Sequence, residues 1–205
     1  MAFPLPLAAA LTGATPAQLR HWRDSGLVVP EVRPFRPPLY SFRDLVLIRS
    51  VAYLRAHLSS QKVHKAMLGI PDVMDAVVHP SEYRFGTDGE TVYLGTESGE
   101  AIDILRRRGQ TSLFTFDDML SEFRNFKDER VADFARPSAH LEVAPGRVGG
   151  WPTIEGTRVP YDDVARLVDN ETVFPEDVQA FYPSVSPAAA RDAVEFAERV
   201  EALGA

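Results

Sequence analysis

The side chains best placed by type and spacing to do chemistry lie between Thr15 and Tyr40. Gln18 carries an amide that can pair with an adenine edge. Arg20 carries a guanidinium that suits guanine or a phosphate. Thr15, Ala17 and His21 are short or polar neighbours of these two, and Arg33 and Arg36 come next in a proline-bounded stretch. Small or polar residues at the start of a helix, with basic flanks, are what major-groove contact demands. Catalytic chemistry is harder to write. Asp117-Asp118 and Asp162-Asp163 are adjacent acids at helix starts, where the positive end of the dipole explains them. Neighbours along a helix also diverge, so neither pair converges on one site. His57, His64, His79 and His140 are scattered over different segments, so no metal cluster is expected. The chain has no cysteine, which excludes thiolate metal sites, disulfides and a cysteine nucleophile. Neither catalytic residues nor a cofactor is expected.

These groups need elements to hold them. Thr15-Pro16 reads as a helix start, an N-cap followed by proline at the first helical position. Leu19 and Trp22 form its buried face and Gly26 ends it, which turns Ala17, Gln18, Arg20, His21 and Asp24 outward. Pro30 to Pro38 holds too many prolines for a helix or a central strand and is expected as a loop or edge ribbon. Ser41-Phe42-Arg43-Asp44 has the form of a capping box with Asp in the Glu position. It opens a helix carrying Leu45, Ile48, Val51, Leu54 and Leu58, and Ser59-Ser60 caps another with Val63 and Met67.

Beyond residue 80 the pattern changes. Glu82–Phe85, Thr91–Leu94, Ala101–Leu105 and Thr111–Phe116 are expected as a four-stranded antiparallel meander, with a helix from Asp117 burying Met119, Leu120, Phe123 and Phe126. Residues 128–140 lack periodicity and read as a linker. Gly149-Gly150-Trp151-Pro152-Thr153-Ile154-Glu155-Gly156-Thr157-Arg158-Val159-Pro160 is expected as a tight hairpin about Gly156-Thr157 after a short strand Leu141–Val143. No phosphate-binding glycine pattern is present there. Helices are expected over Tyr161–Val168, Pro175–Phe181 and Pro187–Leu203. The expected class is α+β, divided into 1–72, a winged helix-turn-helix; 73–127, a small antiparallel β-meander region; 128–140, a linker; and 141–205, a helical, helix-turn-helix-like module with a short hairpin.

Composition is that of a globular protein, 45% apolar and 25% charged, with a net charge of −7. That charge is unevenly spread. Residues 1–70 hold nine Lys or Arg against three acids, +6, which leaves 13 basic and 26 acidic residues for the rest, −13. A basic head on an acidic body fits a chain that meets nucleic acid at one end. The apolar opening, Phe3 to Leu11, lacks a basic start and is too short to span a bilayer, so a cytoplasmic protein with no membrane partner is expected.

Leu11-Thr12-Gly13-Ala14-Thr15-Pro16-Ala17-Gln18-Leu19-Arg20-His21-Trp22-Arg23-Asp24-Ser25-Gly26-Leu27 resembles the helix-turn-helix of MerR-type regulators. Tyr40-Ser41-Phe42-Arg43-Asp44-Leu45 resembles the segment after the wing in that family, and Leu58 to Val63 its next helix entry. The resemblance covers about residues 5–68 and implies DNA-contacting positions at Gln18, Arg20, His21, Arg36 and Tyr40. His21-Trp22-Arg23 departs from the family's aromatic-aromatic-acid run, and no long heptad helix comes after it. The Gly149–Pro160 segment, Phe181-Tyr182-Pro183-Ser184-Val185-Ser186-Pro187 and Ala193-Val194-Glu195-Phe196-Ala197 resemble domain-of-unknown-function family 433, whose members resemble VapB-type antitoxins. Those resemblances imply an antitoxin of a type II toxin–antitoxin system. Its partners would be operator DNA, a PIN-domain (VapC-type) ribonuclease and a second copy of itself, and it would repress its own operon. Arg136 and Arg106-Arg107-Arg108 are the candidate contacts to the nuclease. A ligand-responsive regulator acting alone is the alternative, with Tyr93, Ile102, Ile104, Phe114 and Phe116 of the middle region as ligand contacts.

Overall fold

The computed structural model describes residues 1–73, 84–87, 92–95, 101–103 and 116–204. The chain is an α+β protein in which the first and last segments share one core. A two-residue strand β1 (Phe3–Pro4) leads into α1 (Leu5–Thr12), with Pro6 tolerated in its first turn, where no backbone donor is needed. Gly13, with φ +76°, ends α1 in the left-handed conformation. Helix α2 (Pro16–Asp24) begins after a three-residue turn. The chain then loops out as a wing and returns as β2 (Leu39–Tyr40), which pairs antiparallel with β1, Phe3 opposite Tyr40. Helices α3 (Phe42–His57) and α4 (Ser60–Val73) complete the N-terminal unit. Leu45, Ile48, Val51, Leu54 and Leu58 of the expected stripe are all buried.

The middle region has three antiparallel strands in sequence order, β3 (Arg84–Thr87), β4 (Val92–Gly95) and β5 (Ala101–Asp103), with Phe85 opposite Leu94 and Leu94 opposite Ile102. The expected fourth strand differs. Its last residue, Phe116, begins helix α5 (Phe116–Leu120), and residues 111–115 lie outside those described. Helix α5 is also shorter than the expected helix. It stops at Leu120, and Phe123 enters a hairpin of β6 (Phe123–Arg124) and β7 (Arg130–Val131). Asn125 makes that turn. Its Oδ1 accepts from Lys127 N at 2.9 Å and Glu129 N at 3.0 Å, and Phe126 is left exposed rather than buried.

Residues 128–140, aperiodic as expected of a linker, are nevertheless packed. Val131 and Phe134 are in the core, Ser138 Oγ donates to Asp192 at 2.5 Å, and His140 N donates to Asp192 at 2.7 Å. Strand β8 (Leu141–Glu142) pairs with β9 (Thr153–Ile154). The turn about Gly156-Thr157 forms as expected, with Gly156 at φ +73° and Ile154 N donating to Val159 O at 2.9 Å. Helix α6 (Tyr161–Leu167), a short 3₁₀ turn at Pro175–Ala180 and α7 (Pro187–Ala202) occupy the three expected helical positions. Ser186 caps α7, its Oγ accepting from Ala189 N at 3.1 Å.

The two ends of the chain meet through rings. Phe3 stacks on Trp151 with centroids 5.5 Å apart and lies 6.3 Å from Phe42. Trp151 stacks on Tyr161 at 6.4 Å, and Tyr161 meets the Phe196 edge at 4.8 Å. At Gly150 a Cβ would come within 2.2 Å of the Phe42 ring, and φ there is +82°, so only glycine permits this approach. Asp162 and Asp163 are engaged here too. Asp162 accepts from Trp151 Nε1 at 2.8 Å, and both acids pair with Arg166. Among the described residues, no helix is long and apolar enough to cross a membrane and no group of acids and histidines is arranged to hold a metal ion.

Candidate nucleic-acid interface

Helix α2 is fixed at its start by a capping box. Thr15 Oγ1 accepts from Gln18 N at 3.2 Å, and Gln18 Oε1 accepts from Thr15 N at 2.8 Å. Leu19 and Trp22 are buried as the spacing requires, while Ala17, Arg20, His21 and Asp24 are exposed and Gln18 is half-buried. The cap has a chemical consequence. With Oε1 committed to Thr15, Gln18 offers only its NH₂ outward, so the two-point contact to adenine requires the cap to open.

The wing is built by backbone and anchored by one acid. Arg33 and Leu39 exchange both backbone hydrogen bonds, at 3.1 and 2.7 Å, and Arg33 Nε donates to Pro37 O at 2.9 Å. Arg36 lies between them, exposed, at φ +61°. Buried Asp44 caps α3, where its Oδ2 accepts from Ser41 N at 2.8 Å. The same oxygen accepts from Glu31 N at 2.9 Å, so the helix cap also holds the base of the wing. Val29, Val32 and Phe35 are exposed along the wing. The guanidinium of Arg23 lies 4.9 Å above the Phe35 ring and pairs with Asp24 at 2.7 Å. That contact sets the wing beside α2.

Tyr40, expected at the contacting surface, is buried (1% exposed), and its hydroxyl has no hydrogen-bond partner among the described residues. Burial pushes its pKa up to about 12, against the opposing pull of Arg23 and, more weakly, Arg20. It therefore lies in the core and not on the surface.

The basic head is also smaller than the count of its residues. Arg49 is fully buried and donates to the carbonyls of Met119, Leu120, Ser121 and Ala132 at 2.6 to 3.1 Å, with its guanidinium 4.6 Å from the Phe123 ring. Arg43 pairs with Glu31, and Arg55 donates to Leu58 O at 2.6 Å beneath Phe126. The groups that remain outward near α2 and the wing are Arg20, His21, Arg33 and Arg36. The spacing showed Asp44 as a helix cap but not its hold on the wing, nor the Arg23–Phe35 contact, because those partners lie 13 and 12 residues away. Arg136 is exposed, 3.2 Å from Glu155. Arg106-Arg107-Arg108 and the Ile104 and Phe114 expected in a ligand site lie outside the described residues, and of Tyr93, Ile102 and Phe116 only the backbone is described.

Comparison with known proteins agrees with this geometry. Residues 6–68 match the family described as MerR HTH family regulatory protein, and residues 141–197 match a protein of unknown function, DUF433. Curated relatives include an uncharacterised HTH-type transcriptional regulator of Mycobacterium bovis and its counterparts in two strains of Mycobacterium tuberculosis. Each is 29% identical over 111 residues, covering 49% of this chain and 46% of the relative, so the match spans less than half of either protein. No solved structure matches the chain. The chain thus carries a MerR-family helix-turn-helix domain over residues 6–68 and a DUF433 segment over residues 141–197.

Proposed function

We propose that this chain is a DNA-binding transcription regulator, with α2 entering the major groove while the wing grips the adjacent backbone. The observation that carries the reading is the Arg23–Phe35 contact, which brings the wing's arginines beside the exposed face of α2. Ala17 allows close approach of the helix, Arg20 and His21 reach base edges or phosphates, and Gln18 contributes its NH₂. Thr15 holds the first turn, and Arg33 and Arg36 take phosphates. Tyr40, being buried, is a core residue of the return strand and not a DNA contact.

The narrower form of the proposal makes the chain the antitoxin of a type II pair. As a cytoplasmic homodimer, and with no catalysis of its own, it would repress its own operon and neutralise a PIN-domain (VapC-type) ribonuclease. Its support is the resemblance carried by residues 141–198 together with exposed Arg136, a guanidinium suited to a carboxylate-lined metal site. The alternative is a regulator without a nuclease partner.

One experiment separates them. The full chain is captured from its native host, its partners are identified, and retention of its own promoter DNA is measured by gel shift. Replacing Arg20 and Arg36 with Ala is expected to weaken retention about tenfold each and to flatten the salt dependence by about one unit per lost phosphate contact. Undiminished retention in the double variant defeats the DNA-binding reading. A co-purifying PIN nuclease supports the antitoxin form, and its absence leaves the regulator alone.

A further inference from the structure

A cleft of about 270 Å³ opens where the turn before α2, the β6–β7 hairpin and helix α7 converge. Its floor is apolar, formed by Ala9, Ala14, Val131 and Phe196, which are buried, with Ala10 and Leu203 at the sides. The walls are rigid where they meet. A Cβ on Gly13 would come within 2.3 Å of Val131, so the hairpin sits directly against the helix-turn-helix turn.

The polar groups at the mouth are not equivalent. Arg130 is spent on Glu122, at 2.5 Å, and Glu129 accepts from Asn125 at 2.8 Å. Arg199 is different. Its guanidinium lies 5.2 Å from the Phe196 ring and donates to Ser138 Oγ at 3.2 Å, with no carboxylate paired to it among the described residues. Glu195 and Glu198 border its outer side, away from the apolar floor. A cation held over an aromatic ring, at the rim of a small apolar cleft, offers a bidentate seat to a carboxylate whose body fills the floor.

We infer that this cleft is a binding site for a small organic carboxylate with an apolar body about the size of one ring, seated on Arg199. The volume admits little more, being just below the usual range for ligand pockets. A molecule bound there touches the turn that carries Thr15, the cap of α2, and α7 together. It therefore stabilises one placement of α2 relative to the C-terminal segment. This last consequence, though not the site itself, rests on the DNA-binding reading above.

The test uses the full chain and phenylacetate, with phenylacetamide as its uncharged counterpart, monitored by methyl NMR. Expected are saturable shifts confined to the methyls lining the cleft, Ala9, Ala10, Ala14, Val131 and Leu203, with a dissociation constant of about 1 mM or tighter. The amide is expected to bind about tenfold more weakly. Arg199→Leu, an exposed position, should erase the difference between acid and amide while leaving the thermal midpoint unchanged. Ala10→Phe should exclude both from the cleft with Arg199 intact. Equal binding of acid and amide, undiminished binding by R199L, or shifts that fail to saturate or lie elsewhere would overturn the assignment. Promoter retention undiminished in the Arg20 and Arg36 double variant would defeat only the coupling to DNA, since saturable binding in the cleft is read without DNA.

Discussion

Arg49 is the residue on which the placement of the N-terminal helices most depends. Burial pushes its pKa down to about 10, still well above neutrality, so the guanidinium enters the core charged. Four backbone carbonyls, bonded to Nε and Nη2, and the face of Phe123 replace part of its water, while buried Nη1 has no hydrogen-bond partner among the described residues. Two of those carbonyls, Met119 and Leu120, end α5 and Ser121 follows it, where a helix leaves its last acceptors in need of partners; Leu120 O also accepts from Phe134 N at 2.8 Å. The arginine thus serves as a C-cap supplied from α3, some seventy residues earlier in the chain. Removing it strands several carbonyls at once. Arg49→Met is expected to lower stability by about 3 kcal/mol, read from the urea midpoint at unchanged slope. Arg49→Lys should recover only part of this, because an ammonium cannot span the same fan of acceptors. A loss below about 0.5 kcal/mol for the methionine variant would show the fan to be dispensable.

At the scale of elements, the helices with local start signals were legible in the sequence. Thr15-Pro16, Ser41 with Asp44 and Ser186-Pro187 each satisfy their first backbone donors with a side chain three residues away or a proline that needs none. The Gly156 turn was legible for the same reason. The features that stayed hidden are held by partners far along the chain. The end of α5 is set by Arg49, the packing of 128–140 by Asp192, and the wing's seat by Phe35 and Asp44. Of the candidate site, the outward face of α2 could be read, and Thr15-Pro16-Ala17-Gln18 has the local form of a capping box, whereas the burial of Tyr40 could not be read. Gly150 shows how little sequence space such a contact has. Gly150→Ala forces a side chain into φ +82° and onto the Phe42 ring, and the expected cost is roughly 2–4 kcal/mol. Shrinking the ring as well, in Gly150→Ala with Phe42→Leu, should cost less than the sum of the two singles, since the clash is relieved. Additive losses would locate the defect in the backbone alone.

For the molecule as a whole, the helix-turn-helix segment and the DUF433 segment bury each other's aromatic side chains. Phe3 belongs to β1, pairs across the sheet with Tyr40 of the wing's return strand, and stacks on Trp151, which hydrogen-bonds Asp162 of α6. Opening the C-terminal segment would therefore expose Phe3 and Phe42 and loosen the strand that carries the wing. The two tryptophans report on the two ends separately, Trp22 beneath α2 and Trp151 against Phe3. Trp22→Phe and Trp151→Phe each leave one fluorophore. Urea unfolding monitored by the remaining tryptophan is expected to track the circular dichroism transition of the same variant in both midpoint and slope. If the two ends instead melt apart, Trp22 in the W151F variant should report a transition that departs from the circular dichroism curve, and the ring stack would then be a contact between independent units. Coincident transitions carry a consequence for regulation. Anything that binds the C-terminal segment, protein or small molecule, then stabilises by mass action the face of α2 proposed to read DNA, with no separate moving part required.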